Sequence, residues 1–333
     1  MKSPMPDSSR TEILHSVSRG EFWKPCPGTT AGYFCCGYQI ITPLTGCGMY
    51  CAYCVLQAYF EHDHQVAYTN LDDLEHEIRE KMSRWKGVVR FGTGEFGDSL
   101  FQEDRLGLSR RIAAMLEPYP NAIVEFKTKS ANVRALSGIR YPQRVVVGFS
   151  MNTPRMIGMF ERGTMTLDER LDAARWCVDQ GYWVAFHFDP MIWYAEWEPE
   201  YRDVARRILE TLPDPSRIAW WSLGGFRCMP ALKKILRDRN EHLPLFAGEM
   251  LLGEDRKLRY FRPQRTAFYR AVREEVEARA PEIPLYLCME CPEVWEDSGM
   301  MGRIPDGLAE YLDDRARGML AAAYGRVSGP NSS

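Results

Sequence analysis

Residues 145–150 read VVVGFS, residues 166–180 read TLDERLDAARWCVDQ, and residues 183–188 read WVAFHF. The first and third are short apolar runs rich in β-branched and aromatic residues, which is typical of buried strands, and the second has a helical period. Thr166 and Glu169 have the spacing of a capping box at the start of this helix. The stretch therefore predicts a strand, helix and strand of a parallel sheet.

The same alternation extends on both sides of this stretch and repeats six times. Strands are predicted at 39–43, 88–91, 122–127, 145–150, 183–188 and 218–223. Helices are predicted at 71–85, 103–116, 131–136, 166–180, 200–212 and 230–239. The pattern then loosens into an apolar run at 246–252, a helix at 263–278, a strand at 285–289 and a helix at 307–324. We predict an α/β fold, an incomplete (β/α)6 barrel with a C-terminal α+β extension.

The predicted organisation follows from these boundaries. It comprises an N-terminal segment at 1–32, partly disordered, a partial barrel at 33–243, a C-terminal extension at 244–327 and a disordered tail at 328–333. The N-terminal stretch is polar and no apolar run is long enough to span a bilayer, so we expect a cytoplasmic protein with no membrane partner.

Charge and cysteine content narrow the class of function. The net charge of −3 does not indicate a nucleic-acid binder. Residues 127–175 nevertheless carry nine Lys and Arg against four Asp and Glu, a local balance of +5, which is either a solvated surface or a patch that faces a polyanion. Ten cysteines in a long chain without a signal peptide favour metal ligation over disulfides.

Three of the cysteines form a compact motif in the loop after the first predicted strand. Cys47, Cys51 and Cys54 have CxxxCxxC spacing. Three thiolates within eight residues can hold one face of an iron–sulfur cube and leave the fourth iron open to a small molecule. Zinc is the alternative, but it requires a fourth ligand such as Cys36 or one of the pair Cys288 and Cys291.

The motif resembles the signature of the radical S-adenosylmethionine superfamily, in which an aromatic residue commonly precedes the last cysteine, as Tyr53 does here. The flanking sequence is similar to spore photoproduct lyase and its relatives, often called DNA repair photolyases. The similar stretches lie at 35–38, 46–47, 53–57, 149–152, 160–164 and 170–175. The match extends from about residue 33 to residue 250 and implies that the partial barrel is a radical-SAM barrel.

The resemblance implies two cofactors, a 4Fe-4S cluster and S-adenosylmethionine. It further implies that Cys47, Cys51 and Cys54 hold the cluster, and that S-adenosylmethionine is cleaved reductively to a 5'-deoxyadenosyl radical. The expected substrate is a thymine photoproduct, or another damaged or modified base in DNA, from which the radical abstracts hydrogen. The expected electron donor is a protein such as flavodoxin or ferredoxin. The alternatives are a radical enzyme for a small molecule and a non-catalytic metal-cluster protein that binds nucleic acid.

The resemblance also predicts residues that bind S-adenosylmethionine. The loop after the second strand is similar to the glycine-rich element that accepts the methionine ammonium, although a tight turn would explain its glycines too; it comprises Gly92, Thr93, Gly94 and Glu95. Lys129 and Ser150, with Asn152 two residues further on, match positions that bind the methionine carboxylate. A surface lysine and a structural serine are the simpler interpretations of each residue alone.

The remaining candidates have weaker patterns. Cys35 and Cys36 precede the first strand, where burial under the barrel is expected, and Cys177 is expected as a core residue of a helix. Cys288 and Cys291 cannot close a metal site by themselves. The aromatic run at 193–197, which follows a strand ending in His187 and Asp189, is either a stacking surface for a nucleobase or ordinary loop packing.

The sequence departs from the family at one expected catalytic position. The family has a cysteine in the loop after the second strand that returns a hydrogen atom to the product radical, and the matching position here is Gly92. Val55 likewise replaces a tyrosine of the family. The candidate donors are Tyr53 and Cys228, unless the substrate differs, and a Gly92→Cys substitution is expected to direct the products towards thymine.

Overall fold

A computed structural model describes residues 12–28, 31–62, 64–212, 214–239, 244–246 and 248–325. The predictions of disorder for residues 328–333, and those for residues 1–11, lie outside these ranges. Within them the strands are β1 (Ile13–Ser16), β2 (Trp23–Pro25), β3 (Gln39–Ile41), β4 (Leu44–Thr45), β5 (Tyr50–Cys51), β6 (Gln65–Tyr68), β7 (Val89–Gly92), β8 (Ala122–Thr128), β9 (Val145–Ser150), β10 (Glu161–Arg162), β11 (Trp183–Met191), β12 (Ile218–Gly225), β13 (Arg227–Cys228), β14 (Leu251–Leu252), β15 (Leu258–Arg259) and β16 (Leu285–Leu287).

Helices cover most of the connections between the strands. They are α1 (Leu56–Tyr59), α2 (Leu71–Met82), α3 (Glu103–Leu106), α4 (Leu108–Met115), α5 (Pro154–Phe160), α6 (Leu167–Asp179), α7 (Trp197–Thr211), α8 (Pro230–Asp238), α9 (Arg262–Glu277), α10 (Pro292–Asp297) and α11 (Leu308–Gly325). The capping box of α6 is present: Thr166 Oγ1 accepts a hydrogen bond from the Glu169 amide, and Glu169 accepts one from the Thr166 amide. The predicted helix 103–116 divides at Gly107, whose φ is +61°, and 131–136 forms a 3-10 helix at Asn132–Leu136 instead of an α-helix.

One curled eight-stranded sheet carries the fold, and its strand order is β16-β12-β11-β9-β8-β7-β3-β2. The six predicted strands occupy its centre, and their neighbours pair in parallel from β3 to β12. The α/β partial barrel is therefore confirmed. Two further strands extend it: β2 pairs antiparallel with β3, and β16 pairs parallel with β12. The sheet thus includes strands that lie before and after residues 33–243, the predicted barrel, in the sequence. The predicted division into domains stays a prediction.

The strands of the sheet do not alternate between apolar and polar residues, because both faces of the sheet are buried. Every residue of β9 and of β12 is buried, because a parallel sheet has one face against the outer helices and the other against the barrel interior. Aromatic rings of neighbouring strands pack against one another in this core. The centre of the Phe186 ring lies 6.4 Å from that of Phe149 and 5.5 Å from that of Trp221. Burying each such ring contributes about 1.5–3 kcal/mol. None of the helices in the described ranges is both long and apolar enough to cross a membrane.

The positive charge of residues 127–175 does not form one exposed surface. Arg170 is fully buried and paired with Glu161. Arg144 is also buried, and its guanidinium donates to backbone carbonyls at the end of α4, those of Leu116, Glu117 and Tyr119. The Arg170–Glu161 pair is neutral and leaves the local excess at +5, whereas Arg144 takes one positive charge into the fold. The patch that faces a polyanion stays a prediction.

Candidate active site

The three cysteines of the CxxxCxxC motif lie at the C-terminal mouth of the barrel. Their loop contains β5, which pairs antiparallel with β10, so that Cys51 lies opposite Glu161. The Ala52 amide also donates to the Phe160 carbonyl at 2.8 Å. These bonds fix the loop against the chain that follows β9. The motif is therefore held where the ends of the parallel strands converge, as expected for chemistry on this fold.

A cavity of about 290 Å³ opens at this mouth, and all three thiols line it. Its volume is close to the lower limit for small-molecule sites. Of the other predicted cofactor-binding residues, Gly94, Glu95, Lys129 and Ser150 contribute to its wall. Burial raises the pKa of Cys47 to about 12, and burial also holds the pKa of Cys51 well above its usual range. These thiols therefore release protons when they bind a metal.

The donor set fits an iron–sulfur cube better than a single ion. Across the described residues, no group of three or more His, Cys, Asp and Glu side chains is arranged to hold one metal ion. A zinc site requires its thiolates around one centre, at about 2.3 Å from it. The thiolates of a cube bind separate irons, so their sulfurs lie further apart. The three motif cysteines line the cavity and supply three thiolates, the number that a cube with one open iron requires.

A buried network supports the floor of the cavity behind Cys51. The Tyr53 hydroxyl donates to Glu161, which also accepts a hydrogen bond from Arg170. Burial opposes ionisation of Glu161, but Arg170 and then Lys129 outweigh it and hold the pKa of this carboxyl below its usual range. The Lys129 ammonium lies 5.8 Å from the centre of the Tyr53 ring. Tyr53 thus lines the cavity beside the predicted cofactor lysine, and its hydroxyl is hydrogen-bonded to Glu161.

Asp98 organises another part of the cavity wall, and the sequence alone did not single it out. Its carboxylate accepts hydrogen bonds from the amides of Leu100 and Phe101, and from the hydroxyl of Thr128 at 2.6 Å. Its second oxygen accepts from the Lys129 amide at 2.7 Å. One carboxylate therefore ties the loop after β7 to the end of β8. An aspartate whose carboxylate accepts hydrogen bonds from the backbone amides two and three residues later is a recognisable turn signal.

The glycine-rich loop after β7 is only partly in the cavity. Gly94 and Glu95 line it, and Glu95 lies 3.7 Å from the Lys127 ammonium. Gly92 and Thr93 are not in the lining. A Cβ at Gly92 would lie 1.5 Å from the Tyr38 hydroxyl, so only glycine fits there. A cysteine at position 92 would have to displace Tyr38, so the geometry does not support the expected effect of Gly92→Cys on the products, which stays a prediction.

Asn152 is also outside the cavity wall. Its amide nitrogen donates to the Pro190 carbonyl at 3.2 Å, and its oxygen accepts from the Tyr201 hydroxyl at 2.8 Å. The side chain is fully buried. Because protein partners occupy the amide, the prediction that Asn152 contacts S-adenosylmethionine has no support in the geometry. Direct contact stays a prediction for Gly94, Glu95, Lys129 and Ser150.

The positions of the other cysteines agree only in part with the predictions. Cys35 and Cys36 are only partly buried and line the cavity, so their placement under the barrel is wrong. Cys288 lines it as well, whereas Cys291 does not. Cys177 is fully buried in α6, as predicted.

The aromatic run after β11 packs against helices. Trp193 and Trp197 contact each other and Phe268 of α9. The Tyr194 hydroxyl donates to Glu200 at 2.7 Å. None of the three lines the cavity, and the ring contacts of the two tryptophans support the interpretation as loop packing. Asp189 does line it, paired with Arg227, while His187 is buried below against Glu125 and Ser222.

A parallel partial barrel with three closely spaced cysteines in the wall of its C-terminal cavity defines the class of the radical S-adenosylmethionine enzymes. The sequence profile of the family described as Spore photoproduct lyase matches residues 36–275. The chain belongs to this family, whose cofactors are a 4Fe-4S cluster and S-adenosylmethionine.

Individual relatives agree with this assignment. The spore photoproduct lyase of Clostridium acetobutylicum is 25% identical over 173 residues, 51% of this chain and 52% of the relative. That of Bacillus subtilis is 26% identical over 175 residues, 52% and 51% of the two chains. The chain therefore spans about half the length of the curated relatives that it matches.

Solved structures share the fold. A mutant of spore photoproduct lyase with the dinucleoside spore photoproduct has a TM-score of 0.73 and 22% identity, with 84% of this chain and 82% of that chain covered. A second mutant with bound AdoMet and the same dinucleoside has a TM-score of 0.72 and 22% identity, with 83% and 81% covered.

Proposed function

We propose that this protein is a radical-SAM lyase that repairs a thymine photoproduct in DNA. The observation that supports this function best is the cavity in which the three motif thiols, Lys129 and Ser150 meet at the ends of parallel strands. The relatives named for spore photoproduct lyase activity supply the substrate class. An electron donor such as flavodoxin or ferredoxin completes the system.

The residues of this chain would hold the two cofactors in the cavity. Cys47, Cys51 and Cys54 would hold three irons of the cluster, and the fourth stays available for the methionine end of S-adenosylmethionine. Lys129 and Ser150 would bind the methionine carboxylate by charge-assisted hydrogen bonds. When bound, the two cofactors supply a low-potential electron and, from it, a 5'-deoxyadenosyl radical that takes hydrogen from the substrate.

The cavity wall then sets the geometry of the reaction. Its walls are tied by Asp98 on one side and by the β5–β10 pairing on the other. A fixed wall places the substrate carbon near the cofactor and excludes water, which is the protein's contribution to such chemistry.

The test is anaerobic turnover of reconstituted protein with S-adenosylmethionine, dithionite and the dinucleoside spore photoproduct. We expect about four irons per chain, formation of 5'-deoxyadenosine that depends on the dinucleoside, and release of repaired thymine dinucleoside. Alanine at Cys47, Cys51 or Cys54 removes cluster and cleavage together, while Cys177→Ala keeps both. Iron analysis checks the cluster, and chromatography quantifies 5'-deoxyadenosine and the repaired product.

The alternatives give different results in the same assay. Cleavage of S-adenosylmethionine that no photoproduct stimulates identifies a radical enzyme for another substrate. One equivalent of zinc and no chromophore after reconstitution contradicts the radical-SAM assignment.

A further inference from the structure

Cys288 lines the same cavity as the three motif cysteines. It follows β16, which forms one edge of the sheet, whereas the motif follows β3 and β4 near the other edge. The sheet is curled, so residues after both edges line the same cavity. A substrate held in this cavity would therefore have the cofactor on one side and the Cys288 thiol on the other.

The thiol of Cys288 is held in place from two directions. Its backbone amide donates to the Leu223 carbonyl of β12 at 2.8 Å. Its sulfur accepts a hydrogen bond from the Arg227 guanidinium at 3.4 Å. Arg227 is itself fixed by two hydrogen bonds to Asp189, at 3.0 and 2.8 Å. Because the sulfur is the acceptor, its own hydrogen is not used in this contact.

The surroundings keep this thiol protonated. Burial raises the pKa of Cys288 to about 11, and Asp189 and Glu95 act in the same direction against Arg227 and Lys127. A thiolate is the form that binds metals and attacks electrophiles. An S–H group is instead a hydrogen-atom donor, because the S–H bond is weak. The cavity thus presents a thiol hydrogen where a carbon radical on the substrate would form.

We propose that Cys288 donates the hydrogen atom that completes the repair reaction; this role rests on the proposed function. The S–H bond of Cys288 breaks and a C–H bond forms on the product radical, which leaves a thiyl radical on the sulfur. One electron from the low-potential reductant that serves the cluster, together with one solvent proton, restores the thiol.

The geometry favours Cys288 over the donors expected from the sequence. Cys228 is 1% exposed and does not line the cavity. The Tyr53 hydroxyl is bound to Glu161. Gly92 cannot be replaced without displacing Tyr38. Cys26 is the strongest competitor, since it lines the same cavity and interacts electrostatically with Cys288.

The experiment compares single-turnover products of the reconstituted protein and its variants in D2O, where thiol hydrogens exchange with solvent. The unmodified protein is expected to release thymine dinucleoside that carries one deuterium. Cys288→Ala should retain the cluster spectrum and the photoproduct-dependent 5'-deoxyadenosine, but yield at least tenfold less deuterated product per 5'-deoxyadenosine. Cys228→Ala is the matched control and should behave as the unmodified protein.

A second measurement does not depend on turnover. Cluster-free protein treated with excess methyl methanethiosulfonate should be modified at Cys288 slowly at neutral pH and faster as the pH rises, because the reagent attacks the thiolate and burial raises the pKa of this thiol. Bound dinucleoside spore photoproduct should slow the modification at each pH, and Cys228 should not react. Unchanged deuterated product in Cys288→Ala, or its loss only in Cys26→Ala, overturns the donor role while the proposed function stands. Absence of any photoproduct-dependent 5'-deoxyadenosine in the unmodified protein overturns both.

Discussion

At the scale of single residues, Glu161 shows how the site is assembled. One buried carboxylate binds the Tyr53 hydroxyl beside the motif and the Arg170 guanidinium from α6. A buried charge is stable only when it is paired and hydrogen-bonded. Glu161 therefore couples the position of the cysteine loop to the helix that follows it, beside Lys129, which is one of the basic residues that line the cavity.

Lys129 gives the residue-scale prediction. Lys129→Ala should weaken S-adenosylmethionine binding by about 1.5–3 kcal/mol, the usual contribution of a hydrogen bond to a charged group. The absorption spectrum of the cluster should not change, because Lys129 is not a ligand. Isothermal titration under anaerobic conditions measures the affinity. The control is the exposed Lys86→Ala; equal affinities for both variants would contradict a cofactor role for Lys129.

At the scale of elements, the loop after β7 depends on Asp98. Both carboxylate oxygens are used, one of them for the Lys129 amide at the end of β8. Asp98→Asn replaces one acceptor with a donor and leaves a buried partner unsatisfied. We expect the free energy of unfolding of cluster-free protein to fall by about 1–3 kcal/mol.

Denaturant titration tests this prediction. The matched control is Asp72→Asn, whose carboxylate is exposed and pairs with the half-exposed Arg111. Exposed pairs contribute about 0–1 kcal/mol, so this variant should stay near the unmodified value. A loss of equal size in both variants would mean that Asp98 has no special role in the loop.

At the scale of the whole molecule, the C-terminal region is part of the barrel. β16 covers the edge of β12, and α11 covers the sheet through buried Leu308, Leu312 and Met319. Arg90 of β7 also pairs with Asp313 of α11 at 2.7 Å. Removal of this region would expose a strand edge and a large apolar surface, both of which promote aggregation.

Truncation tests this whole-molecule prediction. A chain that ends at residue 281 should be insoluble or lack a cooperative thermal transition, and should take up no iron. A chain that ends at residue 325 keeps β16 and α11 and should unfold cooperatively. Thermal unfolding followed by circular dichroism distinguishes them. A cooperative transition in the shorter chain would show that the barrel folds without β16 and α11.

The sequence by itself determined the parallel strands, the helix caps and the cysteine motif. These features follow from local rules: hydrophobic period, capping and ligand spacing act over a few residues. The six central strands and the capping box of α6 were predicted for this reason. The assignment of Cys47, Cys51 and Cys54 to one site likewise needed only their spacing.

Only the tertiary structure decided which distant residues share the cavity. Cys288 lies more than 230 residues after the motif, and the curl of the sheet brings it to the same wall. The same closure leaves Asn152 and Gly92 outside the cavity wall. Asn152 is hydrogen-bonded to Tyr201, and Tyr38 fills the space beside Gly92. Such contacts are set by how strands pair and close, which no local pattern encodes, so the hydrogen-atom donor could not be found from the sequence.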